Sequence, residues 1–301
     1  MTSVPGVVTS SVDRARAEST FRRRRTGLRV LAYLGLGVAA FTMLIPFLWM
    51  LSTSLKTPAA TFVYPPQWIS TPLVWENYAD VFRALPFARY MLNTAFVAGT
   101  VTVLQIAVAS LAAFAFARLR FPGRDALFLA YLATLMVPGQ VTIIPDFLIV
   151  RTLGWIDTYQ GLIVPQVFAG SPSSAFATFL LRQFFMGIPR ELVEAARIDG
   201  ATTFGIFRRI ILPLSSPVLA TLGVFTFTGQ WNNFLWPLII VNDDNLRTLT
   251  VGLRALVGEF TVDYQLLMAG TVMSLIPMVL AFVFLQRYFV RGIALTGLGG
   301  R

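Results

Sequence analysis

The chain has 301 residues, of which 56% are hydrophobic and 13% charged, with a mean hydropathy of +0.70, a composition suited to hydrocarbon rather than water. It contains no Cys and no His, which together exclude disulfides, thiol chemistry, His-ligated metals and imidazole acid–base catalysis. A net charge of +10 and a pI near 10.8 would suit nucleic acid only if the arginines formed a patch, so their distribution along the chain decides.

Residues 1–27 are Ser-, Val- and Arg-rich, end in FRRRRTG, and are read as an unstructured basic cytoplasmic tail. The apolar run Val30–Leu51 that follows is long enough to span a bilayer and lacks a small-residue cleavage pattern, so it reads as a membrane helix rather than a signal peptide. Further runs at Met91–Phe116, Ala126–Val150, Gly161–Leu181, Pro213–Val241 and Leu266–Phe289 predict an all-α integral membrane fold of six transmembrane helices over residues 28–301. With the N-terminus inside, 18 of the 24 basic residues fall in cytoplasmic segments and six outside. This positive-inside bias places both termini in the cytoplasm. The charge follows the membrane, so the reading is lipid bilayer and no nucleic acid; the arginine run is an orientation anchor for anionic headgroups.

The spans are not plain rods. The third contains MVPGQVTIIP, where Pro138, Gly139 and Pro145 are expected to break the hydrogen-bond ladder beside Gln140. The fourth carries VFAGSPSSAF, with Ser171, Ser173 and Ser174 near mid-depth. In the fifth, GQWNNFLWP places Gln230, Asn232 and Asn233 toward the outer half, about 25 Å above Pro213 at 1.5 Å per residue. Irregular backbone and clustered amides at such depths persist only where protein or a wet cavity covers them. They are therefore candidate solute-pathway residues, with helix packing through small residues as the alternative.

An uphill pathway needs an energy source. Ion-coupled carriers place charges deep in the membrane, yet the predicted spans contain almost none apart from Asp146. A phosphate-binding GxxxxGK[ST] loop is also absent, since the single lysine, Lys56, lies in TSLKTP. Another polypeptide would have to supply the energy.

Between the fourth and fifth spans lies a polar island, ELVEAARIDGATTFGIFRRIILP. Pro189, Glu191 and Glu194 suit the first turns of a short helix, and Gly200 suits a left-handed stop. A second helix should start at a hydroxyl cap, Thr202 or Thr203, and carry Phe204, Phe207 and Ile211 on one face before handing over to the membrane at Pro213. Two helices this short gain little stability alone. A docking partner would supply the missing packing.

This segment resembles the EAA loop of permease subunits of ATP-binding-cassette importers: EAA, three residues, G, nine residues, I, one residue, LP. Glu194, Ala195, Ala196, Gly200, Ile210, Leu212 and Pro213 fall on that pattern without a gap. The flanking form RELVEAARIDGAT, with Glu191 and Asp199, is similar to the carbohydrate-type branch and its smaller maltose-like permease. FARYMLNTAFVA, ASLAAFAFARLRFPGR, LGWIDTYQGLIVPQ and WNNFLWPLII extend the likeness over nearly all the chain beyond the first 27 or so residues.

The resemblance implies a type I importer (MetI-like) permease fold, with residues 189–213 as a coupling loop. It also implies a sister permease subunit, two copies of a cytoplasmic ATPase that carry ATP and Mg, and an extracytoplasmic solute-binding protein. This chain would bind no cofactor or metal and hold no catalytic residue, and Glu194 would meet a basic group of the ATPase. The tail RGIALTGLGGR departs from the Gly-Ala-Val-Lys-Gly type common in the family. Import of glycerol phosphate or a glycerophosphodiester is the alternative within the same machinery. An ATPase-independent carrier and a membrane-embedded enzyme are the rivals outside it.

Overall fold

The computed structural model describes the backbone of residues 11–168, 172–258 and 262–297, and the side chains of 26–168, 174–258 and 262–284. In chain order, α1 (Ser11–Ser54) leads through α2 (Pro58–Thr61) and α3 (Glu76–Ala84) to α4 (Phe87–Arg118), α5 (Arg124–Ala133) and α6 (Gly139–Thr152). Next come α7 (Tyr159–Phe168), α8 (Pro172–Gly187), α9 (Arg190–Ile198), α10 (Thr203–Ile206), α11 (Leu212–Leu214) and α12 (Ser216–Trp231). The last three are α13 (Leu235–Ile240), α14 (Leu249–Leu253) and α15 (Tyr264–Gly297). Among the described residues, the β structure is a single bridge, Val257 to Val262.

Three described helical segments are long and apolar enough to cross a membrane alone: Thr26–Ser54, Phe87–Arg118 and Tyr264–Phe284. They match the first, second and sixth predicted spans. The third and fifth are bent pairs, and the fourth corresponds to α7 and α8, whose junction lies outside the described residues. Helical backbone already begins at Ser11, inside the tail read as unstructured. The tail is rich in Arg, Ala and Glu, and adding turns to an existing helix avoids the cost of a new nucleus.

The bend between α5 and α6 is 100°. It falls where Val137 is extended and Pro138, which lacks an N–H, occupies the N-cap of α6. Pro145, expected to break the ladder too, lies inside α6, which continues through it. One lost backbone bond in a membrane helix is tolerated when neighbouring groups re-satisfy the carbonyl. The second bend, 77°, falls at Ser215 rather than at Pro213. There the Ser215 N–H is shared between the carbonyls of Ile211 and Leu212, its Oγ donates to Ile211 O at 2.7 Å, and Pro217 occupies the first turn of α12.

The core centres on α4, which packs against α7, α8 and α12. Its buried stripe of Ala98, Ala109, Ser110 and Ala113 is small-sided, the chemistry that lets membrane helices approach closely in the absence of a hydrophobic driving force. By contrast, α1 packs along α15 while exposing apolar residues such as Leu31, Leu34, Val38, Phe41 and Met43. A helix that is apolar all round and exposed suits hydrocarbon, not water.

Candidate functional site

The polar island folds as two helices anchored to the transmembrane core. α9 ends at Ile198 with Asp199 as its C-cap, and Gly200 takes φ +79°. The Gly200 N–H donates to Arg197 O at 3.0 Å and the Ala201 N–H to Ala196 O at 2.9 Å. This pair of bonds is a Schellman stop, and Ala196 and Ala201 both pack on the core beneath it. Thr202 then caps α10, its Oγ1 accepting from the Gly205 N–H at 3.1 Å. Such a cap is worth about 1 kcal/mol.

Beneath the loop, Val193, Ile206, Phe207 and Ile211 are buried in one cluster with Ala109, Ala113 and Phe114 of α4 and Leu181 and Phe185 of α8. The rings of Phe114 and Phe207 lie 5.1 Å apart. Of the face predicted for the second helix, Phe207 and Ile211 point inward, but Phe204 is 61% exposed. Phe204 lies in the first turn of α10, before the chain enters the core-packed π-helical turn that begins at Phe207 and carries Ile211. Among the motif residues, Leu212 packs against the cluster, Ile210 is half-buried and Pro213 is exposed.

Outward, the island presents Leu192, Ala195, Ile198 and Phe204, with Ile198 88% exposed. Glu191, Glu194 and Asp199 are exposed beside them and make no ion pair among the described residues. Ala195 and Ala196 thus split their roles: the first faces out, the second faces the core.

Two arginines that the charge count treated only as topology markers hold this end together. An Arg118 Nη2 donates to the carbonyls of Phe185 and Ile188 at the end of α8. Arg182 donates from Nε to Phe116 O at 3.3 Å and lies 4.1 Å over the Phe128 ring. Nothing in their local sequence distinguishes them from other positive-inside arginines.

In the other candidate region, Gln230 and Asn233 come together and Asn232 turns away. Gln230 Nε2 donates to Gln166 Oε1 at 3.2 Å, and Asn233 Nδ2 donates to Gln230 Oε1 at 3.3 Å. Asn232 is exposed and bonds to Thr228 O of its own helix at 2.9 Å. Gln166 was missed, although a lone amide within the apolar run LIVPQVF is itself a signal. Gln230 also reaches a cavity of about 220 Å³ with Phe176, Phe225 and Thr226 in its wall.

Ser174 is buried and donates to Val167 O at 3.2 Å, so it serves helix packing. Gln140 lies exposed at the start of α6 and makes no hydrogen bond to the amide group among the described residues. The Ser171 and Ser173 side chains lie outside the described residues.

Long apolar helices, two of them bent pairs, packed about α4 and carrying a short helical pair braced to them, define a helical membrane protein. The family described as "Binding-protein-dependent transport system inner membrane component" matches residues 105–295, well over half the chain, and the chain belongs to it. It is 33% identical over 287 residues to the arabinooligosaccharides transport system permease protein AraQ of Halalkalibacterium halodurans, covering 92% of this chain and 100% of that one. It is 45% identical over 222 residues to the sn-glycerol-3-phosphate transport system permease protein UgpE of Salmonella choleraesuis, covering 73% of this chain and 77% of the relative.

In three dimensions the chain resembles a bacterial ABC transporter involved in the import of the acidic polysaccharide alginate. The TM-score is 0.76 at 24% identity, over 95% of this chain and 100% of the other, a likeness of fold. The protein is a multi-pass permease component of a binding-protein-dependent ABC importer and is not itself catalytic.

Proposed function

We propose that the chain forms half of the pathway for a carbohydrate or sugar derivative, in six spans with both termini on the cytoplasmic side of a prokaryotic plasma membrane. A sister permease completes the pathway, and a solute-binding protein delivers solute from outside. Two ATPase subunits, which carry the ATP and Mg, dock on the 189–213 loops.

The observation that carries this reading is the two-sided build of α9. Its outward apolar residues have no partner within the described chain, whereas its inner side is locked into the α4–α8 core. A push on the outer face therefore moves close-packed core rather than bending a loop. Closure of the ATPases on ATP would draw the paired coupling helices together and open the pathway outward; hydrolysis would reset it.

The solute class rests on the names of AraQ and on the pathway wall. Amides and phenyl rings, as at Gln166, Gln230, Asn233, Phe176 and Phe225, suit hydroxyls and the apolar faces of sugar rings. The 45% identity to UgpE supports glycerol 3-phosphate as the second reading. The test is uptake by proteoliposomes holding the permease pair, its ATPase and its binding protein, with calorimetry of the binding protein against oligosaccharides, monosaccharides and glycerol 3-phosphate. Uptake that needs neither ATP nor the ATPase would end the coupling reading. Binding of glycerol 3-phosphate alone would replace the sugar reading.

A further inference from the structure

Beside the core-packed face of α9 runs a third, charged side. Arg190, Glu194 and Arg197 recur on it at helical spacing and line a cavity of about 430 Å³ with Arg118 at the end of α4, Arg120 in the linker and Arg124 at the start of α5. An adjoining hollow shares Arg120, Arg124 and Arg190 and adds Asp125.

Five arginines thus line one space. Asp125 is paired with Arg124 at 3.0 Å, so with Glu194 counted in full the site still holds an excess of three positive charges. Arg118 is held by its two carbonyl partners and has a buried Nε with no hydrogen-bond partner. Arg120, Arg190 and Arg197 are exposed and form no ion pair among the described residues.

Like charges crowded this way repel one another unless an anion joins them. The planar fork of Arg matches phosphate oxygens two at a time. Just beyond the arginines, α5 exposes Leu127 and Leu129, at 56% and 69%, a surface that suits an acyl chain.

We propose that this cavity binds a phosphate group, and that the bound phosphate clamps α9 to the α4–α5 linker. The group could be the phosphodiester of an anionic lipid headgroup or a soluble phosphate; the recognition chemistry is the same. The site rests on the pocket itself and stands whether or not α9 proves to be the coupling helix.

The experiment uses the intact purified transport complex. Native mass spectrometry follows occupancy by dioleoylphosphatidylglycerol against dioleoylphosphatidylcholine, and thermal-shift titration follows inorganic phosphate. Both are repeated on Arg120→Gln/Arg190→Gln and, should that variant lose normal helicity or gel-filtration behaviour, on Arg197→Gln.

The wild type should prefer phosphatidylglycerol by at least about tenfold or be stabilised by phosphate, and the variant should lose most of that effect. Preference for the lipid without a phosphate response identifies a headgroup; the reverse identifies a soluble anion. Equal responses in wild type and variant, or no response in the wild type, overturn the proposal. So does a variant that loses only its ATPase, because the arginines would then serve a protein contact.

Discussion

Replacing Glu194 with Ala separates folding from coupling. In the folded chain this carboxylate is exposed and makes no ion pair among the described residues, so its loss should change permease stability by no more than about 0.5 kcal/mol. If the ATPase buries it against a basic group, truncating one partner costs about 2–5 kcal/mol, roughly a 30-fold to several-thousand-fold loss of docking. If it stays at a wet rim the cost is about 0–1 kcal/mol.

Glu191→Ala provides the control, since it also removes a first-turn carboxylate of α9, worth about 0.3–1 kcal/mol through the helix dipole. Gly200→Val probes geometry instead. A Cβ there meets nothing within 4 Å, so the penalty is the left-handed backbone itself at φ +79°, about 1–2 kcal/mol and more for a branched side chain. It should misdirect α10, whereas Gly200→Asn should be tolerated. The assay is co-purification of the ATPase with each permease pair, followed by binding-protein-stimulated hydrolysis and solute uptake. Wild-type behaviour of both Glu194→Ala and Gly200→Val in all three would refute the coupling role of this loop.

Cysteines introduced at Gln230 and Asn233 report on the pathway against a background free of native thiols; their reaction with an impermeant reagent should differ between resting and ATP-trapped complexes, and uniform inaccessibility would return both residues to packing. Gly161→Ala should lower the thermal midpoint, because its Cβ would sit 2.2 Å from the Trp155 carbonyl oxygen, and overpacking of this kind costs about 1–3 kcal/mol. Asp157 accepts from the Asp243 N–H at 2.9 Å and from the Asn242 N–H, and these bonds, that of Asp243 foremost, hold its carboxyl below the usual carboxylate range. Its contribution is present above about pH 4 and lost as pH falls through the lowered value. The stability gap between wild type and Asp157→Asn should therefore be seen at neutral pH and narrow in acid; a gap constant across that range would sink the assignment.

What was legible in the sequence depends on local physics. Apolar run length and hydropathy located the long apolar helices, Gly200 and the hydroxyl of Thr202 or Thr203 announced a left-handed stop and a cap that each need only a few neighbouring residues, and the EAA spacing brought the family with it. Tertiary structure decided the rest. Pro138 bends its segment while Pro145 stays within α6, a difference that the residue type alone does not contain.

Phe204 is exposed while Phe207 and Ile211 are buried because only the later part of the second helix meets α4 and α8, and periodicity has no means of seeing that. The partner of Gln230 is Gln166, 64 residues away, and Arg118 reaches carbonyls 67 and 70 residues away. The sorting of arginines into braces and pocket walls is likewise a product of which helix ends meet. Contacts of that range are chosen by how close-packed helices fill space against one another, and a linear pattern of residue types carries no record of it.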